Sequence, residues 1–342
     1  METNNDFAKY ISKFLTDYLP YSRNVSQNTI KSYSESFIQF LTYMKEIQNV
    51  PIEKIKLKDL TRDNVTLFLR WIITNRKCSN RTRNCRLAAM SSFAKFLQYE
   101  DVGRLYQWQQ IMGIPSLKVD KKIINHLSLD GIKLILEQPD VDTRKGRRDL
   151  ALIALMYDTG ARIQEIIDLM PSNLKIEYEP YTVKLTGKGS KSRIVPLMNE
   201  QIRILKNYMM ENHLNCPELQ SSPLFFNSQG AKLTRAGVTY ILHIYVVKAR
   251  TLNSKLIPDN ISCHSLRHSK AMHLLQSGVN LVYIRDFLGH CSIKTTEIYA
   301  RADSKQKREA FEKAYVDLHP ENDSERLWEK DKNLLEWLIN IR

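Results

Sequence analysis

The chain has 342 residues, 43% of them hydrophobic, with 51 Lys and Arg against 37 Asp and Glu, a formal charge of +14. That length suggests two domains, the apolar content supplies real cores, and the basic excess points to a polyanionic partner, nucleic acid or an anionic membrane surface. No run approaches the ~20 apolar residues of a bilayer span, the opening METNNDFAKY has no secretory pattern, and neither GxxxxGKS/T nor GxGxxG occurs.

The first 115 or so residues read as helices. Phe7, Ile11, Phe14 and Tyr18 share one helical face, which Pro20 is expected to stop. Ile30, Tyr33, Phe37, Phe40, Leu41 and Met44 form a second stripe, and Thr61 is placed to cap a third helix carrying Val65, Phe68, Leu69 and Ile72. A fourth helix is predicted from Asn80 to Gln98, with Leu87, Met90, Phe93 and Leu97 inside and Arg81, Arg83 and Arg86 at its start. A basic bundle of four or five helices is the simplest reading. Residues 113–126, with Gly, Pro and several Lys but no amphipathic period, read as a linker.

Beyond it, Ser128 reads as the cap of a helix over Leu129–Glu137, and the apolar stretch Arg147–Asp158 as a central core helix. Thr182–Leu185 and Arg193–Leu197 alternate like strands around TGKGSKS, a hairpin with a basic tip, and Phe225 and Phe226 are candidates for an edge strand. Thr234 is another N-cap, after which the rest reads helical. Five cysteines (Cys78, Cys85, Cys216, Cys263, Cys291) without a CxxC pair read as reduced thiols of a cytosolic protein. Residues 309–342 hold nine acids against five bases, so the body before them carries about +18.

Five segments stand out: TGARIQEIIDL (159–169), TGKGSKSRIVPL (186–197), HSLRH (264–268), LGH (288–290) and TTEIYAR (295–301). Each has an ordinary structural reading. Arg162 at a helix start is commonly a surface residue, Lys188 in a turn is commonly solvated, His290 after Gly suits a helix C-terminus, and a helical Tyr299 is commonly core. His264 and His268, at i and i+4, have metal-pair spacing, but Ser265 stands where the metalloprotease pattern needs Glu and no third ligand is near, so no metal is read. Taken together, Arg162, Lys188, His264, Arg267 and His290 supply two guanidiniums, an ammonium and two imidazoles, a set suited to neutralising a phosphate in a crowded transition state. Phosphoryl transfer without a metal needs a protein nucleophile, and Tyr299 is the available hydroxyl.

With these segments in order, the chain resembles the tyrosine recombinases, the integrase family of Xer proteins, Cre and lambda integrase. The family's TGxRxxE stands here as Thr159 to Glu165, its GKGxKxRxVPL as Gly187-Lys188-Gly189 with Lys191, Arg193 and Pro196, its HxLRH as His264 to His268, and its LGH as Leu288-Gly289-His290. Lys188 follows Arg162 by 26 residues, His290 follows His264 by 26, and Tyr299 follows nine later. The resemblance is close over residues 125–302 and loose over the N-terminal bundle. It implies a mainly α fold with a small β-sheet: a helical core-binding, SAM-like DNA-binding domain (1–115), a linker (116–127), an α+β catalytic domain (128–302) and a C-terminal helical extension (303–342).

It also implies a mechanism. Tyr299 attacks the scissile phosphate, leaving a 3′-phosphotyrosine and a free 5′-hydroxyl. Arg162 and Arg267 hold the non-bridging oxygens, His264 helps deprotonate the tyrosine, Lys188 protonates the leaving oxygen, His290 hydrogen-bonds the phosphate, and Glu165 braces the site. No ATP, cofactor or metal is needed. Arg81, Arg83, Arg86, Lys191 and Arg193 are the candidate DNA contacts. The implied partners are double-stranded DNA with short inverted half-sites, copies of the chain itself (a dimer on one site, a tetramer in the synapse) and accessory proteins, but no membrane. The setting expected is the prokaryotic cytoplasm, on the nucleoid.

The bundle begins almost at once, leaving no room for a lambda-type arm-binding domain. The 43 residues after Tyr299 exceed a minimal Xer protein, and their acidic, apolar character suits docking in trans, in cis or on another partner. Composition and tail lean toward integration and excision of a mobile element rather than resolution of chromosome dimers. A type IB topoisomerase and a non-catalytic DNA-binding regulator are the readings from other classes.

Overall fold

The computed structural model describes residues 6–119, 125–187, 189, 191–302 and 340. The chain divides into two compact units, Met1–Lys122 and Ile123–Arg342. Lys188, the centre of the predicted linker and nearly all of the predicted C-terminal extension lie outside the described residues.

The first unit is helical: α1 (Asp6–Lys13), α2 (Gln27–Glu46), α3 (Arg62–Thr74), α4 (Asn80–Glu100) and α5 (Leu105–Met112). The expected stop at Pro20 is corrected. The helix continues from α1 into a π segment, Phe14–Ser22, with Pro20 inside it. Proline lacks an N–H and clashes with the carbonyl four residues back, and a wider register avoids that clash. The aromatic stripes read from the sequence meet here. Phe14 lies within 6.4 Å, centroid to centroid, of the rings of Tyr18, Tyr33, Phe37, Phe93 and Phe96. Caps close the helix starts as expected: the Thr61 hydroxyl accepts from Asn64 N, satisfying a donor the helix leaves unpaired.

The second unit begins with α6 (Leu129–Leu136), capped by Ser128, and α7 (Arg144–Thr159). Every residue of α7 from Ala151 to Met156 is buried, as an all-round apolar helix should be. A short α8 (Ile163–Ile167) follows, then an antiparallel sheet of β1 (Leu174–Lys175), β2 (Thr182–Thr186) and β3 (Ser192–Pro196) in order β1-β2-β3. Val183 pairs with Val195 and Leu185 with Arg193, so Arg193 shares the inward face of β3 with Val195. Phe225 and Phe226 form no strand; Phe226 makes an isolated bridge with Lys232. The remaining helices are α9 (Asn199–Glu211), α10 (Arg235–Leu252), α11 (Cys263–Gln276), α12 (Leu281–Leu288) and α13 (Glu297–Ala302). The buried Asp149 is paired with Arg148 at 2.6 Å and accepts from Tyr245 Oη at 2.8 Å, which compensates its burial. Among the described residues, no helix is long and apolar enough to cross a membrane.

Candidate active site

Four of the segments singled out in the sequence converge around the C-terminal end of α12. That helix is closed by Gly289 in the left-handed conformation, φ +65°, a region that costs a side-chain-bearing residue about 1–2 kcal/mol. The turn leaves three successive carbonyls without helical partners. Each accepts from a different arginine: Phe287 O from Arg193 Nε (2.8 Å), Leu288 O from Arg267 Nη2 (2.6 Å) and Gly289 O from Arg162 Nη2 (3.1 Å). A helix C-terminus carries partial negative charge, so it gathers cations.

Glu165 holds two of these arginines. Its Oε1 accepts from Arg162 Nη1 at 2.8 Å and Arg193 Nη1 at 3.0 Å, and its Oε2 from Arg193 Nη2 and Arg162 N, both at 2.8 Å. Burial alone would raise the carboxyl's pKa. The bonds and charges of Arg193 and Arg162 win and hold it at about 2. The third arginine, Arg267, is 1% exposed and gives its other Nη to Gly160 O at 2.6 Å. Burial, then the neighbouring Arg162 and Arg193, lower its pKa to about 9, so it stays charged at neutral pH. Three guanidiniums around one carboxylate leave an excess of positive charge, a site for an anion.

Tyr299 sits on α13 in an apolar cluster with Met272, Leu275, Ile284 and Leu288 and is 1% exposed. Burial raises its phenol to about 12, against the opposing pull of Arg267 and Arg162. The His268 Nδ1 is 2.9 Å from Tyr299 Oη. The His264 ring lies 4.5 Å from that of His268, and the His290 ring stacks on Tyr299 at 6.4 Å. Nδ1 of His290 is engaged by the buried Thr296 hydroxyl at 2.9 Å, which leaves Nε2 for another group. Burial and then nearby cations lower His264, and bring His290 to about 4, so these imidazoles are neutral at pH 7. Lys188 lies outside the described residues. Its neighbour Gly187 is at the site, since a Cβ there would come 2.9 Å from Glu165 Oε1. Among the described residues, no three His, Cys, Asp or Glu side chains are grouped to hold a metal ion.

Residues 125–306 match the family model "Phage integrase family", and residues 11–101 match "Phage integrase, N-terminal SAM-like domain". Tyrosine recombinase XerC of Bacillus pumilus is 31% identical over 310 residues, 89% of this chain and 94% of that one. The chain belongs to the phage integrase family, the tyrosine recombinases. Among solved structures, its fold is similar to XerH site-specific recombinase bound to palindromic difH substrate (TM-score 0.68, 22% identity, 91% of this chain and 89% of that one). It is also similar to the Tn1549 transposon integrase in complex with transposon right end DNA (TM-score 0.66, 16% identity, 89% of this chain and 98% of that one).

The recombinase structure brings Arg162, His264, Arg267, His290 and Tyr299 to one place and sets Glu165 beneath them. Two residues read as DNA contacts, Arg193 and Arg83, bond within the chain. Arg193 spends all three guanidinium nitrogens on Glu165 and Phe287 O. It belongs to the framework of the site, and the strand alternation that groups it with Val195 is the signal that could have revealed this. Arg83 is 7% exposed and donates to Pro115 O at 2.8 Å, pinning the chain after α5. It lies four residues before Leu87, on the same helical stripe, so its phase points inward. Arg86 bonds Gln39 Oε1 (3.1 Å) and Ser36 Oγ (3.3 Å), joining α4 to α2. Arg81 and Lys191 are exposed. The residue the sequence reading left without a role is His268.

Proposed function

We infer that this protein is a site-specific DNA recombinase that cuts and rejoins duplex DNA through a 3′-phosphotyrosine made by Tyr299. One observation carries the reading: a tyrosine hydroxyl, three guanidiniums and three imidazoles gather at one helix end, with Glu165 as the carboxylate among the arginines. Such a group binds a phosphodiester and stabilises the extra charge of a five-coordinate phosphorus.

Arg162, part-exposed, and Arg267 beneath it take the non-bridging oxygens. His290 donates from Nε2, and Lys188 protonates the departing 5′-oxygen. Because the phosphotyrosine conserves the energy of the broken bond, a second 5′-hydroxyl can reseal it without ATP. Substrate recognition we assign to duplex DNA bearing inverted half-sites, bound by copies of the chain in the bacterial cytoplasm. The biological role we assign is integration and excision of a mobile element, on the basic, Asn-, Lys- and Ile-rich composition of the chain. A single chromosomal palindrome as the cleaved site would replace that role with dimer resolution.

The test is an SDS-resistant DNA–protein adduct assay in EDTA, with nicked duplexes tiled across DNA flanking the gene. Wild type is expected to form an adduct at one sequence, and Tyr299→Phe to bind that sequence without one. An adduct persisting in Tyr299→Phe would remove Tyr299 as nucleophile. Loss of the wild-type adduct in EDTA would overturn the metal-free mechanism.

A further inference from the structure

Two imidazoles, His268 and His290, lie against Tyr299, and a third, His264, packs on the first of them. The His264 ring packs edge-on against that of His268. His290 turns one nitrogen to Thr296 and its ring face to the tyrosine. Among the described residues, the one hydrogen-bond partner of Tyr299 Oη is His268 Nδ1, at 2.9 Å. We propose that His268 is a catalytic residue of this recombinase: its Nδ1 takes the Tyr299 proton during strand cleavage and returns it during rejoining. The proposal rests on the reading of Tyr299 as the nucleophile.

The geometry is that of a general base already in contact with its proton. With the ring proton on Nε2, Nδ1 presents a lone pair and the phenol donates to it. The groups facing His268 are Tyr299, His264, Arg267 and His126. Burial first, then His264, Arg267 and His126, depress its pKa to about 4 and keep it unprotonated at neutral pH. The phenol, at about 12, holds its proton far more tightly. Transfer therefore accompanies attack on phosphorus and does not precede it. A phosphate seated on Arg162 and Arg267 also cancels part of the cationic field that weakens His268, so substrate strengthens the base that serves it.

The step balances. The bond from Tyr299 Oη to phosphorus forms, the P–O5′ bond breaks, the phenolic proton passes to His268 Nδ1, and the leaving O5′ takes a proton from Lys188. In rejoining, the incoming 5′-hydroxyl returns its proton to Lys188, the phosphotyrosine bond breaks, and the imidazolium reprotonates Tyr299. No oxidant, reductant or further reactant enters.

The experiment uses the full chain and a nicked duplex with a 5′-bridging phosphorothiolate at the scissile position, whose sulfur leaves without a proton. That removes Lys188 from the rate and isolates the base. His268→Asn keeps an acceptor for the tyrosine hydroxyl but cannot take its proton. We expect its adduct rate to fall by ~100-fold or more at pH 7. Between pH 7 and 9 that rate should climb about tenfold per unit, as solvent hydroxide supplies the phenolate, while wild type and His264→Asn stay level. Gel-shift binding and thermal melting check that each variant is folded. A His268→Asn rate equal to wild type and level with pH would show a merely placing role and overturn the proposal. So would the tenfold slope appearing in His264→Asn instead. In wild type, which needs no variant to fold, a tenfold rise per pH unit from 7 to 9 would mean prior ionisation of Tyr299 and also overturn it. Failure of wild type to form any adduct would overturn the recombinase reading itself, and this proposal with it.

Discussion

Glu165 shows how one side chain decides the state of several others. Its carboxylate is 2% exposed on the side chain and bridges Arg162 to Arg193. Removing it leaves two guanidiniums near a third without their counter-charge. Glu165→Ala should therefore lower stability by ~3–5 kcal/mol, the usual result of breaking a buried pair, as measured by urea unfolding. The pH dependence follows from its carboxyl being held near 2 against an ordinary value of 4.5. A depressed folded-state pKa stabilises the protein above the ordinary value and ceases to do so as pH falls through the folded one. The contribution, ~3 kcal/mol by linkage, should be lost from about pH 5 down to pH 2. Glu165→Gln should flatten that acid limb, and unchanged acid denaturation would remove Glu165 as its source. Glu165 was legible in the sequence as a brace, three residues after Arg162. Its second arginine was not, because Arg193 reaches it across 28 residues of chain.

The end of α12 acts as an element, since its terminal carbonyls order three arginines contributed by the start of α8, by β3 and by α11. Gly289 makes that end possible, and a Cβ there would lie 3.1 Å from Arg193 Cδ. Gly289→Ala should cost ~1–2 kcal/mol from the left-handed backbone alone. It should reduce adduct formation by more than that loss of folding explains, because Arg193 and Glu165 must give way together. An effect confined to the melting temperature would reduce Gly289 to a helix stop. On α11, the residue after His268 has a separate task. Ser269 Oγ accepts from the buried Leu127 N at 2.8 Å and donates to Ser265 O, anchoring the chain just ahead of α6. Ser269→Ala should cost ~1–3 kcal/mol by stranding a buried donor, read by chemical denaturation; a neutral result would mean that Leu127 N finds another acceptor.

At the scale of the whole molecule, the charge of +14 predicts affinity for DNA that falls steeply with salt, each phosphate contact contributing about 0.9 to the log–log slope. The structure sharpens that prediction into a contrast. Arg81→Ala, at an exposed position, should reduce the slope by about 1 while leaving stability unchanged. Arg83→Ala should destabilise the first unit, since Arg83 is buried against Pro115 O, and should leave the slope of the folded protein alone. Titrations at several salt concentrations decide, and equal slopes for wild type and Arg81→Ala would exclude Arg81 from the DNA.

By itself the sequence determined the order of the helices, the hairpin, the N-caps at Thr61, Ser128 and Thr234, and that Arg162, His264, Arg267, His290 and Tyr299 belong to one site, because periodicity, local capping and motif spacing are properties of neighbours in the chain. Pro20 stands inside a helix because the register there outweighs its chemistry, and amphipathic phase turns the guanidiniums of Arg83 and Arg193 inward, to Pro115 O and Glu165. Which atom each functional group touches was decided only by the tertiary structure. Arg193 Nε on Phe287 O, Arg162 Nη2 on Gly289 O and His268 on Tyr299 join residues 94, 127 and 31 positions apart. Such contacts depend on how α8, β3, α11, α12 and α13 pack as bodies. A spacing along the chain names the residues that come together, but the hydrogen-bond partner of Tyr299 follows from the packing of α13 on α11.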